Sequence, residues 1–417
     1  MRLELVNTGT ELLLGDTINT NAAWLGQRLA ALGIDVARQT IVPDGRAVFE
    51  GIEEAARRSD VVLVTGGLGP TNDDVTRECA AELYDLPLDL HEGVMAWLTD
   101  YFGKRGKPVN EASRRQAMVP RGAAVLENRF GTAPGLHIPA VLGSARGLHA
   151  HIFLLPGPPR ELKPMMEHAV EPVLRGMLAD GGAREVLYLK STGIGESDIV
   201  DKIQVGLEAI ADLDLGYCIG RGDVDIRLSG PRDVVAAGAH FVRERMGDFI
   251  VSEDRRVIEE VVVALLRERR QWVATAESCT GGLLACRITD VSGASEVLGE
   301  GYVAYANAAK QKLLGVKTET LAAHGAVSEA VVCEMAEGCL RASGADHALA
   351  LTGVAGPAGG TPEKPAGTVW IALASGGETT EARKLFFPGA RDRFKLLASQ
   401  AALELLRRRL RGIPIPS

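Results

Sequence analysis

From Leu3 onward the chain alternates short apolar runs of strand character with segments of helical periodicity. That alternation restricts it to α/β folds built on a parallel, doubly wound sheet. "LELVNTG" reads as a strand, and the segment from Thr20 to Leu32 carries Leu25, Leu29 and Leu32 on one helical face before Gly33 stops it. "DVARQTIV" predicts a second strand, "GRAVFEGIEEAARR" a second helix, and "DVVLVTGG" a third strand that runs into glycines. The unit closes with the strand "HIFLLPG" at 151–157 and a helix from Pro159 to about Leu174.

A chain of 417 residues is too long for a single hydrophobic core, so two or three domains are expected. After "ADGGA" at 179–183 the pattern changes to a strand "EVLYLKST", a helix after Gly195, strands "LGYCIG" and "VDIRLSG", and another helix. This predicts a small α+β module over 176–252, after a first domain over 1–175. Its "GIGE" (193–196) is similar to the loop of RNA-binding KH modules, but it lacks the G-x-x-G spacing and ends in an acid where phosphates need a base. A spacer or dimerisation role is expected of it. The polar "SEDRR" (252–256) reads as a linker. Beyond it a helix with Ile258, Val261 and Leu265 leads into the strand "WVATA" and a second α/β unit over 253–417.

The net charge is −8 and the isoelectric point about 5.6, which argues against a general polyanion-binding surface. Arg407 to Arg409, with Arg411, close a C-terminal helix that carries Phe394, Leu397, Ala401 and Leu405 on one face; these cations read as a solvated end that complements the helix dipole. The start has no signal-peptide pattern, and no apolar run approaches the ~20 residues that cross a bilayer. Six cysteines without C-x-x-C pairs predict reduced thiols and a cytoplasmic protein. Neither membrane nor direct nucleic-acid partners are expected.

Two strand-to-helix turns carry chemistry. In "TGGLGPTNDDVT" (65–76), Gly66, Gly67 and Gly69 let the backbone approach an oxygen-rich ligand, Thr71 adds a hydroxyl, and the helix start offers free N–H groups. Asp73 and Asp74 share that loop and repel phosphate unless a cation bridges them, which predicts a divalent metal (Mg, Mn or Co). "TGTELLLGDTIN" (8–19) contributes Glu11, Asp16 and Asn19, and "PGPPRE" (156–161) contributes Arg160 and Glu161. These loops meet at the carboxyl edge of such a sheet, where open α/β folds bind ligands. Asp73, Asp74, Glu11, Asp16 and Glu161 are the candidate metal ligands. The alternative is that Asn72, Asp73 and Asp74 only cap a helix.

In "TAESCTGG" (275–282), Ser278 and Cys279 stand at the second turn, with Gly281, Gly282 and the helix from Leu283 as oxyanion donors. No glycine brackets the serine as in the G-x-S-x-G elbow. The two histidines of this domain, His324 and His347, read as surface or capping residues. The better base is Lys310 in "GYVAYANAAKQKLLGV" (301–316), placed in the first turn of a helix from Asn307, where desolvation and the helix end disfavour its ammonium form. Tyr305 then relays or orients a proton. A solvated helix lysine is the alternative for Lys310. The loop "LTGVAGPAGGTPEKPAGTV" (351–369), with Gly353 and Gly356, is dense enough in Gly and Pro to hold a phosphate or a carbonyl oxygen, while Ser328 in "HGAVSE" reads as a helix cap.

"TGTELLLGDTIN", "VTGGLGPTNDDVT" and "LPGPPRE" resemble the N-terminal domain of the CinA (competence/damage-inducible) family, which is similar to molybdopterin-binding proteins. "AESCTGG", "GYVAYANAAK", "GAVSE", "GVAGPAGG", "EKPAGTV" and "FPGARDRF", spread over roughly 270 to 395, resemble its C-terminal domain. The resemblance implies an N-terminal metal-dependent ADP-ribose pyrophosphatase, yielding AMP and ribose 5-phosphate. It also implies a C-terminal serine amidohydrolase that needs no cofactor and turns nicotinamide mononucleotide (NMN) into nicotinate mononucleotide and ammonia. It makes Ser278 the nucleophile, Lys310 the base and Tyr305 the supporting hydroxyl. The expected substrate contacts are Thr280, Gly281, Gly282, Asn307, Gly353, Gly356 and Arg391 in that domain, and Gly66, Gly67, Gly69, Thr71 and Arg160 in the first. A homodimer acting on small-molecule nucleotides is expected. The alternatives are a non-catalytic molybdopterin-like binding module or an interaction protein of competence. The chain departs from the family at Ala306 and Ala308, where Ser and Glu are frequent, and at Ala390, where Asp is usual.

Overall fold

The computed structural model describes residues 1–178, 185–220 and 222–415. They form two compact units, Met1–Val186 and Leu187–Ser417. The "ADGGA" boundary at 179–183 lies outside the described residues.

The first unit contains β1 (Leu3–Thr8), β2 (Val36–Val42), β3 (Val61–Thr65), β4 (Leu88–Leu90), β5 (Met118–Pro120), β6 (Ala124–Leu126), β7 (Gly135–Ile138) and β8 (His151–Leu155). Six of them make one sheet in the order β2-β1-β3-β8-β7-β6, and β4 pairs with β5 apart from it. β2, β1, β3 and β8 run parallel, as the alternation requires, while β7 and β6 extend the edge antiparallel. The period of two along each central strand divides its side chains between two cores. Val6, Val62, Val64, Ile152 and Leu154 pack on one face around Ile52. Leu3, Leu5, Val61, Leu63, Phe153 and Leu155 pack on the other around Leu25 and Leu29. The register pairs Asn7 with Thr65 and Thr65 with Leu155, so the loops after β1, β3 and β8 leave the sheet side by side.

The second unit opens within β9 (Glu185–Thr192), which with β10 (Asp214–Ile219), β11 (Asp223–Gly230) and β12 (Ile250–Ser252) makes a four-stranded sheet ordered β10-β11-β9-β12. Leu189, Val224, Ile226 and Leu228 on its strands bury Ile199, Ile203 and Leu207 of the helix Glu196–Glu208, and Val235 and Val242 of the helix Arg232–Met246. A five-stranded sheet follows: β13 (Val273–Glu277), β14 (Leu298–Val303), β15 (His347–Gly353), β16 (Thr368–Ser375) and β17 (Glu381–Phe386), in the order β14-β13-β15-β16-β17. β14, β13 and β15 run parallel, β16 pairs antiparallel with β15, and β17 pairs antiparallel with β16. Glu277 at the end of β13 is level with Val303 of β14 and Leu351 of β15. The three Gly-bearing or Lys-bearing loops of the sequence therefore share one carboxyl edge.

The helix Arg391–Arg411 overturns one expectation. Arg407 and Arg408 are buried, not solvated. Both pair with Glu404, and Arg407 donates to the carbonyls of Asp248 (2.6 Å) and Ile250 (3.3 Å) beside and within β12. Gln400 on the same helix donates to Thr192 Oγ1 at 3.0 Å. These contacts, made inside the second unit, fasten the small four-stranded sheet to the last helix, and periodicity alone could not reveal them.

Candidate active site

Ser278 follows β13 directly and is only 8% exposed; its N–H donates to Leu351 O at 3.0 Å. Lys310, 1% exposed, comes from the helix Asn307–Leu314. Its Nζ stands 3.0 Å from Ser278 Oγ, 3.0 Å from Ala304 O and 3.1 Å from Tyr305 O. No carboxylate lies within ion-pair distance of this amine among the described residues. Burial therefore holds its pKa below the ordinary 10.5, with the nearby Cys279 opposing weakly. In the neutral amine two N–H bonds serve the two carbonyls, and the lone pair is left facing the Ser278 hydroxyl. This is the geometry of a serine activated by a lysine base.

Cys279 turns the other way. It is buried in the core with Leu284 and Phe394, and burial pushes its thiol up to about 12, which disfavours the thiolate form. His347 is buried, contrary to the surface role expected of it. It starts β15 opposite Val273, at the far end of the sheet from Ser278, and its Nδ1 lies 2.9 Å from Ser375 Oγ. His324 ends the helix Thr318–His324, where its carbonyl accepts from Lys364.

The predicted oxyanion donors are already engaged. Glu277, 1% exposed, accepts from the N–H groups of Gly282 (3.0 Å), Leu284 (3.0 Å) and Ala285 (2.9 Å). The carboxylate next to Ser278 thus occupies the start of the helix Leu283–Thr289, where the dipole favours it. Gly281 N donates to Ser278 O at 3.2 Å, which closes the turn. The N–H groups of Cys279 and Thr280 donate to no carbonyl among the described residues and lie against the Cys279 sulfur instead.

Tyr305 is exposed, and its hydroxyl accepts from Arg391 Nη2 at 2.7 Å. Arg391 Nη1 donates to Gly356 O at 3.3 Å, so this one guanidinium joins two loops around Ser278. Thr280 is fully buried, with a hydroxyl that has no partner. Asn307 is exposed at the helix start. Gly353 ends β15, where an added Cβ would fall 2.6 Å from Thr368 O, so its lack of a side chain serves packing. Ser328 caps the helix Glu329–Ser343 as expected.

In the first unit the loops of the second constellation meet. Gly66 N donates to Leu155 O at 2.9 Å, Thr8 Oγ1 to Thr65 O at 3.3 Å, and Asn21 Nδ2 to Gly157 O at 2.6 Å. Gly66 and Gly67 have φ of 99° and 67°, and a Cβ on Gly66 would meet Thr8 Oγ1 at 2.6 Å. Thr76 Oγ1, against Gly67, is buried without a partner. The expected metal ligands do not fit a preformed metal centre. Asp74 accepts from Thr71 N at 2.9 Å, and Thr71 also holds Asp73 below the usual carboxylate range. Glu11 folds back over Gly9, and Asp16 is exposed. Glu161 is buried and accepts from Asn128 Nδ2 at 2.9 Å, whereas its neighbour Arg160 is exposed. Among the described residues no three His, Cys, Asp or Glu side chains converge as a metal site would require.

With both sites described, the comparisons can be placed. Residues 255–410 match the CinA C-terminal domain model, and residues 4–176 match the "Probable molybdopterin binding domain" model. A CinA-like protein of Akkermansia muciniphila is 49% identical over 403 residues, covering 97% of this chain and 96% of its own. This chain belongs to the CinA family. A CinA-like protein of Kosmotoga olearia is 42% identical over 98% of this chain and 99% of its own. The solved competence damage-inducible protein A of Klebsiella pneumoniae shares 39% identity, covers 38% of this chain and all of its own, and has a TM-score of 0.36.

Two of the chain's departures from the CinA pattern fall on helix N-caps. Ala306 caps the helix that carries Lys310 and Ala390 caps the helix that carries Arg391, both without a side-chain hydrogen bond. Sequence reasoning missed Glu277, whose capping role shows only once the turn is folded. It also missed Arg115 and Gln116, which reach Asn72 Oδ1 (3.4 Å) and Leu68 O (3.4 Å) from about forty residues away without any motif.

Proposed function

We propose that the second unit is an amidohydrolase that converts NMN to nicotinate mononucleotide and ammonia. The observation that carries this reading is the buried Lys310 amine, 3.0 Å from Ser278 Oγ and aimed by two backbone carbonyls. Lys310 takes the hydroxyl proton as Ser278 Oγ attacks the carboxamide carbon. The Lys310 ammonium then gives its proton to the departing nitrogen, releasing ammonia and leaving an ester on Ser278. Water attacks that ester, Lys310 takes the water's proton, and return of the proton to Ser278 Oγ frees the carboxylate. Tyr305 supports the site twice, through its carbonyl on Lys310 and through its hydroxyl, which Arg391 orients. Ammonia release from NMN by the purified protein tests the reading: Ser278→Ala abolishes it and Cys279→Ala leaves it, whereas loss only with Cys279→Ala overturns the assignment.

The first unit supports a second reading, hydrolysis of ADP-ribose to AMP and ribose 5-phosphate. It rests on the glycine cradle over 66–69 and the unpartnered Thr76 hydroxyl beside it, groups that suit a pyrophosphate. Because the carboxylates do not converge by themselves, a divalent metal enters this reading with the substrate's phosphates and not as a resident ion. Turnover of ADP-ribose with added Mg, Mn or Co, lost with Thr76→Val, checks it. Tight molybdopterin binding without turnover would favour the non-catalytic alternative.

A further inference from the structure

We propose that Lys395, with Arg391, forms the subsite for the 5′-phosphate of a nucleotide substrate at Ser278; this rests on the amidohydrolase reading above. The two residues lie four apart at the start of the helix Arg391–Arg411, and so project from one helical face. Arg391 reaches Tyr305 and the carbonyl of Gly356. Lys395 Nζ lies 3.8 Å from the place a Cβ would take on Gly281, in the turn that Gly281 N closes onto Ser278 O. The first two turns of this helix therefore bond two of the loops that surround the nucleophile and lie beside the third.

The charges of this pair are uncompensated. Farther along the same helix Arg407, Arg408 and Arg409 each pair with a glutamate, whereas among the described residues neither Arg391 nor Lys395 has a carboxylate within 4.0 Å. The nearby acids do not neutralise them: Asp392 makes no ion pair among the described residues, and Glu277, beside Ser278, is committed to the amides of Gly282, Leu284 and Ala285. The helix start adds its own positive end, since Ala390 offers no side-chain cap to its free N–H groups. Gly281 leaves open the space next to the ammonium that a side chain would fill. Two cations without a carboxylate partner, free amides and an open approach match a dianionic phosphate monoester better than an uncharged ribose, because charge-assisted hydrogen bonds are the stronger ones.

The experiment measures binding of NMN and of nicotinamide riboside by calorimetry, using full-length protein with Ser278→Ala so that neither ligand is turned over. Nicotinamide riboside is expected to bind at least about tenfold more weakly than NMN. Adding Lys395→Glu is expected to weaken NMN by about tenfold or more, with nicotinamide riboside unchanged, and Lys395→Arg restores the NMN affinity. Because Lys395 lies in the second unit, the loss cannot arise from ligand bound to the first. Equal weakening of both ligands, no effect of Lys395→Glu, or no NMN binding at all overturns the subsite. Phosphate-dependent binding that needs Lys395, in a protein whose unaltered form releases no ammonia, keeps the subsite and overturns the deamidase reading.

Discussion

The carboxylate of Glu277 accepts from the N–H of Leu284 at 3.0 Å, beneath the turn that presents Ser278. With Gly282 and Ala285 it fixes where the turn ends and the next helix begins. Glu277→Gln keeps the shape but sets an amide NH2 against at least one of these donors. It is expected to cost about 1–3 kcal/mol of stability. It is also expected to lower kcat for deamidation by about tenfold to a hundredfold through displacement of Ser278, with a smaller change in KM. Urea unfolding and steady-state kinetics on one preparation check both; an unchanged kcat would leave Glu277 with a purely structural role.

Burial disfavours the Lys310 ammonium, so its pKa lies below 10.5, and catalysis needs the neutral amine. The sign follows: kcat/KM climbs as pH rises through a value below 10.5 and levels off above that value. Lys310→Arg puts in its place a guanidinium that stays protonated, and is expected to be inactive at every pH. A pH–rate profile of the unaltered protein checks the limb, and an acid limb centred at or above 10.5 contradicts it.

Arg407 is fully buried and bonds two carbonyls beside and within β12. Arg407→Ala leaves those carbonyls and part of the Glu404 charge without a partner, a loss of about 3–5 kcal/mol. Arg411→Ala, farther along and with a single 3.4 Å bond to Val251 O, is expected to cost well under half as much. Chemical denaturation of the two variants side by side checks the order.

Ala306 and Ala390 are N-caps without side-chain bonds. Ala306→Ser and Ala390→Asp are each expected to add about 1 kcal/mol, which raises Tm by about 2–4 °C. Calorimetric scans of both single variants check this, and a fall in Tm would show that the cap geometry rejects the side chain.

Much of the molecule was legible in the chain itself. Strand–helix alternation marks the parallel strands, because apolar residues at periods of two and 3.6 have one way to bury themselves on both faces of a sheet. Glycines that follow a strand mark where a ligand can approach the backbone; Ser278 and Lys310 stood out as candidates on predicted elements, and their roles came from the resemblance to the CinA family. What those residues do together was decided by tertiary structure. The register of β13 between β14 and β15 sets Lys310 against Ser278 and leaves His347 at the far end. Folding the turn spends the helix-start amides on Glu277, and it separates Glu161 from the acids expected to share its metal. Arg407 likewise reads as a solvated charge until β12 supplies the carbonyls it binds. Local sequence determines which groups a segment can offer, since propensity and periodicity act over a few residues. Which of those groups stay free for chemistry depends on hydrogen bonds made across tens to hundreds of residues, and only the assembled sheets bring those partners together.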